Sequence, residues 1–250
     1  PCDNSVVPTG LTVDMVTSTS AEVSWDEVPS ATFDLRYRAI GAGSWNETTD
    51  ITNTTFNITG LIENTDYEFQ VATRCSSTAS SYSSSEIFTT SSAVPCTGTS
   101  ISSFPYSESF ENTLGLWTQD NTDDFDWTNQ LENTGQTNGS TGSASTGPDG
   151  ASNGNYFLYT EASNPNFPNK VARLISPCLD FTGRENAALS FDYHMFGGFI
   201  GVLTVDVSID NGATYTILTD YTLSGNQQTG HTDAWKTQNV DLSLYDGQSI

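Results

Sequence analysis

The sequence predicts an all-β chain built as two consecutive β-sandwiches, and three observations predict it. Strand-forming Val, Ile, Thr, Tyr and Phe recur in short runs of alternating polarity. Turn-forming Gly, Asn, Asp and Ser separate those runs. A short polar joint, Ser91-Ser92-Ala93-Val94-Pro95, divides the chain into residues 1–93 and 94–250, too short a connection for free tumbling. Hydrophobic residues make up 35% of the chain, but 13 Phe, 10 Tyr and 5 Trp suffice to fill cores, which a disordered chain could not do.

In the first part, Ala21, Val23 and Trp25 fall on one face of a strand and Glu22 and Ser24 on the other. Phe33-Asp34-Leu35-Arg36-Tyr37-Arg38 repeats the pattern, as does Thr55-Phe56-Asn57-Ile58. Asp66-Tyr67-Glu68-Phe69-Gln70-Val71 turns Tyr67, Phe69 and Val71 inward. Short strands at this spacing argue for a sandwich. In the second part, Phe191-Asp192-Tyr193-His194-Met195 and residues 201–208 read as paired strands. Asp210-Asn211-Gly212-Ala213 is a hairpin turn leading into residues 214–218. Residues 235–242 form a further strand, and residues 132–155 a long loop rich in Gly, Ser, Thr and Asn.

Seven basic residues against 30 acidic ones leave a net charge of −23. That sign repels nucleic acid and anionic lipid, and is compatible with cation binding or with a solvated acidic surface. Cys2, Cys75, Cys96 and Cys178 contain no C-x-x-C pair, which argues against zinc and thioredoxin-like chemistry; three disulfide pairings are open. Widely spaced cysteines and few lysines suit an oxidising compartment. No apolar run reaches membrane-spanning length, so membrane insertion is not expected.

Trp25, Tyr37 and the run Leu61-Ile62-Glu63-Asn64-Thr65-Asp66-Tyr67 resemble a fibronectin type III domain over residues 8–90. The resemblance implies an immunoglobulin-like sandwich and makes Tyr67 a tyrosine corner, with a buried ring and a hydroxyl bonded to upstream backbone. It also implies a Cys2–Cys75 disulfide, a variant that points to bacterial relatives of the Bacteroidetes type. Eight further motifs follow in order: Ser109-Phe110-Glu111, Gly115-Leu116-Trp117, Asp123-Asp124-Phe125-Asp126-Trp127, Thr146-Gly147-Pro148, residues 156–162, residues 172–177, residues 191–197, and Gly201-Val202-Leu203. Together they resemble a MAM domain, an extracellular adhesion and oligomerisation module. The resemblance implies a jelly-roll β-sandwich and a Cys96–Cys178 disulfide. Ala188 stands near a position where animal members often carry cysteine. The family continues beyond residue 250 with a closing strand, so the second module is expected to be C-terminally incomplete and the chain part of a longer protein.

Some MAM-like jelly rolls associate with a calcium ion near the Phe-Glu and acidic motifs, and by that resemblance Glu111, Asp124 and Asp126, with Asp241 as a further candidate, are expected as ligands of a structural calcium ion. Against this stands a solvated turn before a core tryptophan. The apolar tip Phe196-Gly197-Gly198-Phe199-Ile200 offers Phe196, Phe199 and Ile200 as ligand contacts, against plain packing across the sandwich. Trp45 reads as packing. His194 reads as a satisfied structural histidine, and His231 has no evident partner. Asn46, Asn53, Asn57 and Asn138 fit the N-x-Ser/Thr acceptor pattern.

No nucleophile, phosphate-binding loop or spaced carboxylate pair stands out, so the chain is not expected to be an enzyme. The expected function is a non-catalytic adhesion or interaction segment of a larger secreted or cell-surface bacterial protein. The first module serves as a spacer and the second contacts a protein or polysaccharide at the cell exterior. The alternative is an accessory carbohydrate-binding segment of a secreted polysaccharide-degrading enzyme or metallopeptidase.

Overall fold

The alternation around Trp25 sets the first sheet. The computed structural model describes residues 2–131, 146–161 and 164–250. In it β1 (Thr12–Val16) pairs antiparallel with β2 (Ala21–Ser24), and β2 with β5 (Thr55–Ile58). The facing sheet is built from β3 (Thr32–Ala39), β4 (Asn46–Ile51), β6 (Asp66–Cys75) and β7 (Thr78–Ala79) in the order β4-β3-β6-β7, with β8 (Glu86–Thr89) also on β6. The inward residues are those the alternation predicts. Val23, Leu35, Ile58, Phe69 and Val71 are buried, and Trp25 meets Phe33 edge-on at 5.4 Å. Removing this apolar surface from water is the main force holding the sandwich together.

Tyr67 forms the expected corner. Its ring is buried and its hydroxyl accepts the Ile62 N–H at 3.0 Å. The Thr90 hydroxyl donates to the Ile62 carbonyl at 2.6 Å and accepts the Thr65 N–H at 2.9 Å, so the corner leaves few backbone groups unpaired. On β3, Asp34 is buried, and Arg74 makes a two-pronged contact with its carboxyl group, Nε at 2.6 Å and Nη2 at 2.5 Å. Cys2 is joined to Cys75 and Cys96 to Cys178, the pairing that the family resemblances imply.

Contacts divide the chain into two units. One is Pro1–Pro95 with Phe181–Ala187 and Leu242–Ser249; the other is Cys96–Asp180 with Ala188–Asp241 and Ile250. The second unit is built from short ladders. β9 (Ser100–Ile101) runs parallel to β14 (Cys178–Leu179). β10 (Thr118–Gln119) pairs with β13 (Leu174–Ile175), and β11 (Thr128–Leu131) with β12 (Tyr156–Tyr159). β15 (Ala188–Tyr193) pairs over six residues with β20 (Lys236–Asp241). β16 (Val202–Leu203) pairs with β19 (Leu223–Ser224), and β17 (Asp206–Val207) with β18 (Thr216–Ile217).

One sequence expectation is corrected here. The 191–195 and 201–208 segments are not partners: the first pairs with β20, and the second breaks into β16 and β17. The hairpin between β17 and β18 is fixed by Asp210. Its carboxylate accepts the Thr214 hydroxyl and N–H and the Ser208 hydroxyl. Those donors, the Thr214 hydroxyl first, pull its pKa down to about 2. Positive φ at Asn211 (56°) and Gly212 (81°) gives the turn the left-handed backbone that Asn-Gly favours. Among the described residues no helix is long and apolar enough to cross a membrane.

Candidate interaction surface

The acidic positions of the second unit are held by separate protein donors. Glu111 Oε1 accepts the Asn155 and Tyr156 N–H groups at 2.9 and 3.1 Å. The carboxylate lies against Gly154, where a Cβ would stand only 2.1 Å from Oε1, so this contact depends on glycine. Asp124 Oδ1 accepts the Lys170 ammonium at 2.7 Å and Oδ2 the Val171 N–H at 2.8 Å. Lys170 first, then Val171, holds the Asp124 carboxyl below the ordinary carboxylate range. Asp123 accepts the Arg173 N–H, and Asp120 accepts Arg173 Nη1 at 3.4 Å. Asp126 is exposed just before Trp127, and Asp241 is exposed at the end of β20.

The structure therefore brings the 120–124 turn onto the 170–173 segment, and Glu111 onto residues 155–156. It does not gather Glu111, Asp124, Asp126 and Asp241. Among the described residues no group of three or more His, Cys, Asp or Glu is placed to hold a metal. Calcium takes six to eight oxygen ligands, and at Asp124 the ammonium and the amide already use both carboxylate oxygens.

The apolar tip is tied at its base. The Phe196 carbonyl accepts the Gly147 N–H at 3.0 Å, and the Gly197 N–H donates to Asn226 at 3.0 Å. Ile200 folds back toward Gly197. Phe199 instead projects, 58% exposed, and stacks at 4.7 Å on Phe167, itself 40% exposed. Phe167 escaped the sequence reading because it lies between prolines in Asn164-Pro165-Asn166-Phe167-Pro168-Asn169, far from the tip and outside any periodic run. Residues 164–169 and 195–205 carry no charged side chain. The stacked pair thus comes from two segments without charged side chains in a strongly acidic chain.

On the first unit the outer face of the larger sheet carries a ladder of rings and guanidinium groups. Arg36 lies 3.9 Å from the Tyr82 ring centre and 4.5 Å from that of Trp45, and Arg38 lies 4.1 Å from Trp45. Gln70 anchors Arg36, Glu68 anchors Arg38, and Glu47 accepts the Tyr82 hydroxyl.

Both ring nitrogens of His194 are buried and make no hydrogen bond of good geometry, the backbone of Asp233 and Gly230 being the polar groups that face the ring. His231, expected to stand alone, has Nδ1 2.6 Å from Asp149. Asn138 and Ala162 lie outside the described residues, as does the 132–145 part of the predicted long loop.

The model of the MAM domain, meprin/A5/mu, matches residues 109–249. The chain belongs to the MAM domain family. The fibronectin type III domain model matches residues 6–90, so a fibronectin type III sandwich precedes the MAM domain. Similar proteins include MAM domain-containing glycosylphosphatidylinositol anchor protein 2 of Mus musculus, 34% identical over 111 residues, 42% of this chain and 12% of that protein. MAM domain-containing glycosylphosphatidylinositol anchor protein 1 of Homo sapiens is 35% identical over 131 residues, 51% of this chain and 13% of that protein. The chain thus matches about an eighth of the length of these relatives. They are animal proteins and give the expected bacterial setting no support. Among solved structures, one titled "Myokine structure" is similar over 34% of this chain and 97% of its own, with 22% identity and a TM-score of 0.32. Chicken CNTN1 FN1-FN3 domains are similar over 35% of this chain and 33% of their own, with 22% identity and a TM-score of 0.32.

Proposed function

We propose that this chain is a non-catalytic interaction segment of an extracellular or cell-surface protein, and that its MAM domain contacts a protein partner through the Phe199–Phe167 pair. The observation that supports this reading most directly is the exposure of two stacked phenylalanines on segments without charged side chains, in a chain similar to proteins named as glycosylphosphatidylinositol anchor proteins. Large aromatic rings held in place before binding lose little entropy on contact and serve well as anchors.

The carbohydrate reading has less behind it. Sugar stacking needs free aromatic faces. Phe167 and Phe199 close one face of each other, and two guanidinium groups already engage the Trp45 ring. Beads coated with the chain are expected to adhere to cells displaying the partner, and protease treatment of those cells is expected to abolish adhesion. Adhesion that survives protease and disappears after glycosidase treatment would overturn the protein reading. Phe199→Ser and Phe167→Ser should each weaken adhesion at least about tenfold, while changing stability by less than about 0.5 kcal/mol, as exposed positions do. Unchanged adhesion in both variants would remove this pair from the contact.

A structural calcium ion at the Asp124–Asp126 turn is a second, separate proposal, and it requires Lys170 to release Asp124. It predicts that a chelator lowers the melting temperature and that added calcium restores it. A melt indifferent to both would end the calcium reading. The bacterial setting rests on composition and the Cys2–Cys75 variant, and the sequence flanking this segment in its gene tests it.

A further inference from the structure

His194 packs on Trp235, while His231 contacts Asp149, the residue before Gly150, whose carbonyl accepts the Trp235 indole N–H. His194 follows β15 directly and sits edge-on to the Trp235 ring at 5.9 Å. Its neighbours are fixed by one buried side chain, Gln228. The Gln228 side-chain carbonyl accepts the Met195 N–H at 2.8 Å, and its amide donates to the Tyr193 and Ala234 carbonyls at 3.2 and 3.3 Å. The Met195 carbonyl accepts the Gln227 N–H at 2.8 Å. Gln228 thus staples the 228–234 loop to the residues on either side of His194. The loop is closed further by Asp233, which accepts the Thr229 hydroxyl and the Thr229 and Gly230 N–H groups. Trp235 Nε1 donates to the Gly150 carbonyl at 2.9 Å.

We infer that the 228–235 loop is an acid-released latch whose trigger is His194. The geometry carries this reading. A neutral imidazole fits the slot against Trp235, whereas a charged one would lose water there with only the backbone of Asp233 and Gly230 and the Asp233 and Asp149 carboxylates to answer it. The charged groups around the slot are Asp233 and Asp149, with His231 spending one nitrogen on Asp149. Lys236 lies across the ladder from Tyr193, with its ammonium on the Gln227 carbonyl. Burial is the larger influence and lowers the pKa of His194, while Asp233, the backbone of Asp233 and Gly230, and Asp149 oppose it. With the closed-state pKa below the ordinary value of about 6.5, the open loop takes up the proton first. The open fraction is therefore independent of His194 well above that pH and grows as pH falls. Each pH unit down to the closed-state pKa raises the open fraction by up to about tenfold.

The test is hydrogen exchange of the 226–236 amides in the full chain, followed from about pH 7.5 to about 5.5, where histidine is the side chain that titrates. Exchange is corrected for its intrinsic pH dependence, and far-UV circular dichroism monitors the global fold. Protection of the loop is expected to fall with acid while the fold persists. His194→Phe and His194→Gln should flatten that response, and either suffices if the other does not fold. His231→Gln should retain it. Protection that stays constant in the wild type overturns the latch. A wild-type response that survives in the His194 variants, or that His231→Gln abolishes, overturns the assignment of His194 as trigger.

Discussion

Replacing Phe69 with alanine should destabilise the first unit by about 3–5 kcal/mol, the range for large-to-small changes at buried aromatics. Phe69 is fully buried on β6, with Val71 two residues on. Its backbone lies opposite Tyr37 on β3 and Glu86 on β8. Phe88 lies 6.5 Å away, and Phe88 itself stacks on Tyr67 at 5.7 Å. A cavity here removes contacts on several sides at once, and a rigid antiparallel sheet cannot collapse to fill it. The comparison is Ile87→Ala on the opposite face of the same sheet, at a residue 58% exposed, where the change should stay within about 0.5 kcal/mol. Denaturant midpoints read both. Equal losses at the two positions would mean that β6 does not separate core from solvent as described.

The alternation that makes Phe69 and Ile87 differ was legible in the sequence. β6 keeps a strict period of two from Tyr67 to Val71, and a one-residue slip would turn Tyr67, Phe69 and Val71 out into water. The disulfide pairing and the Tyr67 corner came instead from family resemblance.

The second unit was less legible for a physical reason. Most of its ladders are two residues long, too short for a period to show. Its shape depends on single polar contacts between distant segments: Glu111 with 155–156, Asp124 with 170–171, Gln228 with 193–195. A local pattern cannot reveal such contacts. The donors that Glu111 and Asp124 accept, backbone N–H groups and the Lys170 ammonium, lie more than forty residues away in sequence. Phe167 was hidden in the same way. Its role appears only when the fold lays it on Phe199.

Changing Cys2 and Cys75 together to serine should lower the stability of the first unit by about 3–4 kcal/mol, because the bridge closes a long loop in the unfolded chain. The two residues are 73 apart in sequence. For a sandwich of this size the loss corresponds to a fall in Tm of roughly 15 °C or more. The mechanism can be separated from local contact. Near the bridge, the Asn4 amide donates to the Thr78 hydroxyl at 2.8 Å at an exposed position, and Asn4→Ala should change stability by less than about 0.5 kcal/mol. If the bridge acts on the unfolded ensemble, the double serine variant should lose far more than Asn4→Ala, and the structure of β6 should be unchanged below its melting transition. If it acts only by holding the N-terminal segment in place, the two variants should lose similar, small amounts. The same comparison extends to Cys96–Cys178, separated by 82 residues. There the chain-entropy argument predicts a loss at least as large, because closure entropy grows slowly with loop length. A double serine variant of either bridge that melts within about 0.5 kcal/mol of the wild type would show that the unfolded chain is already constrained without it.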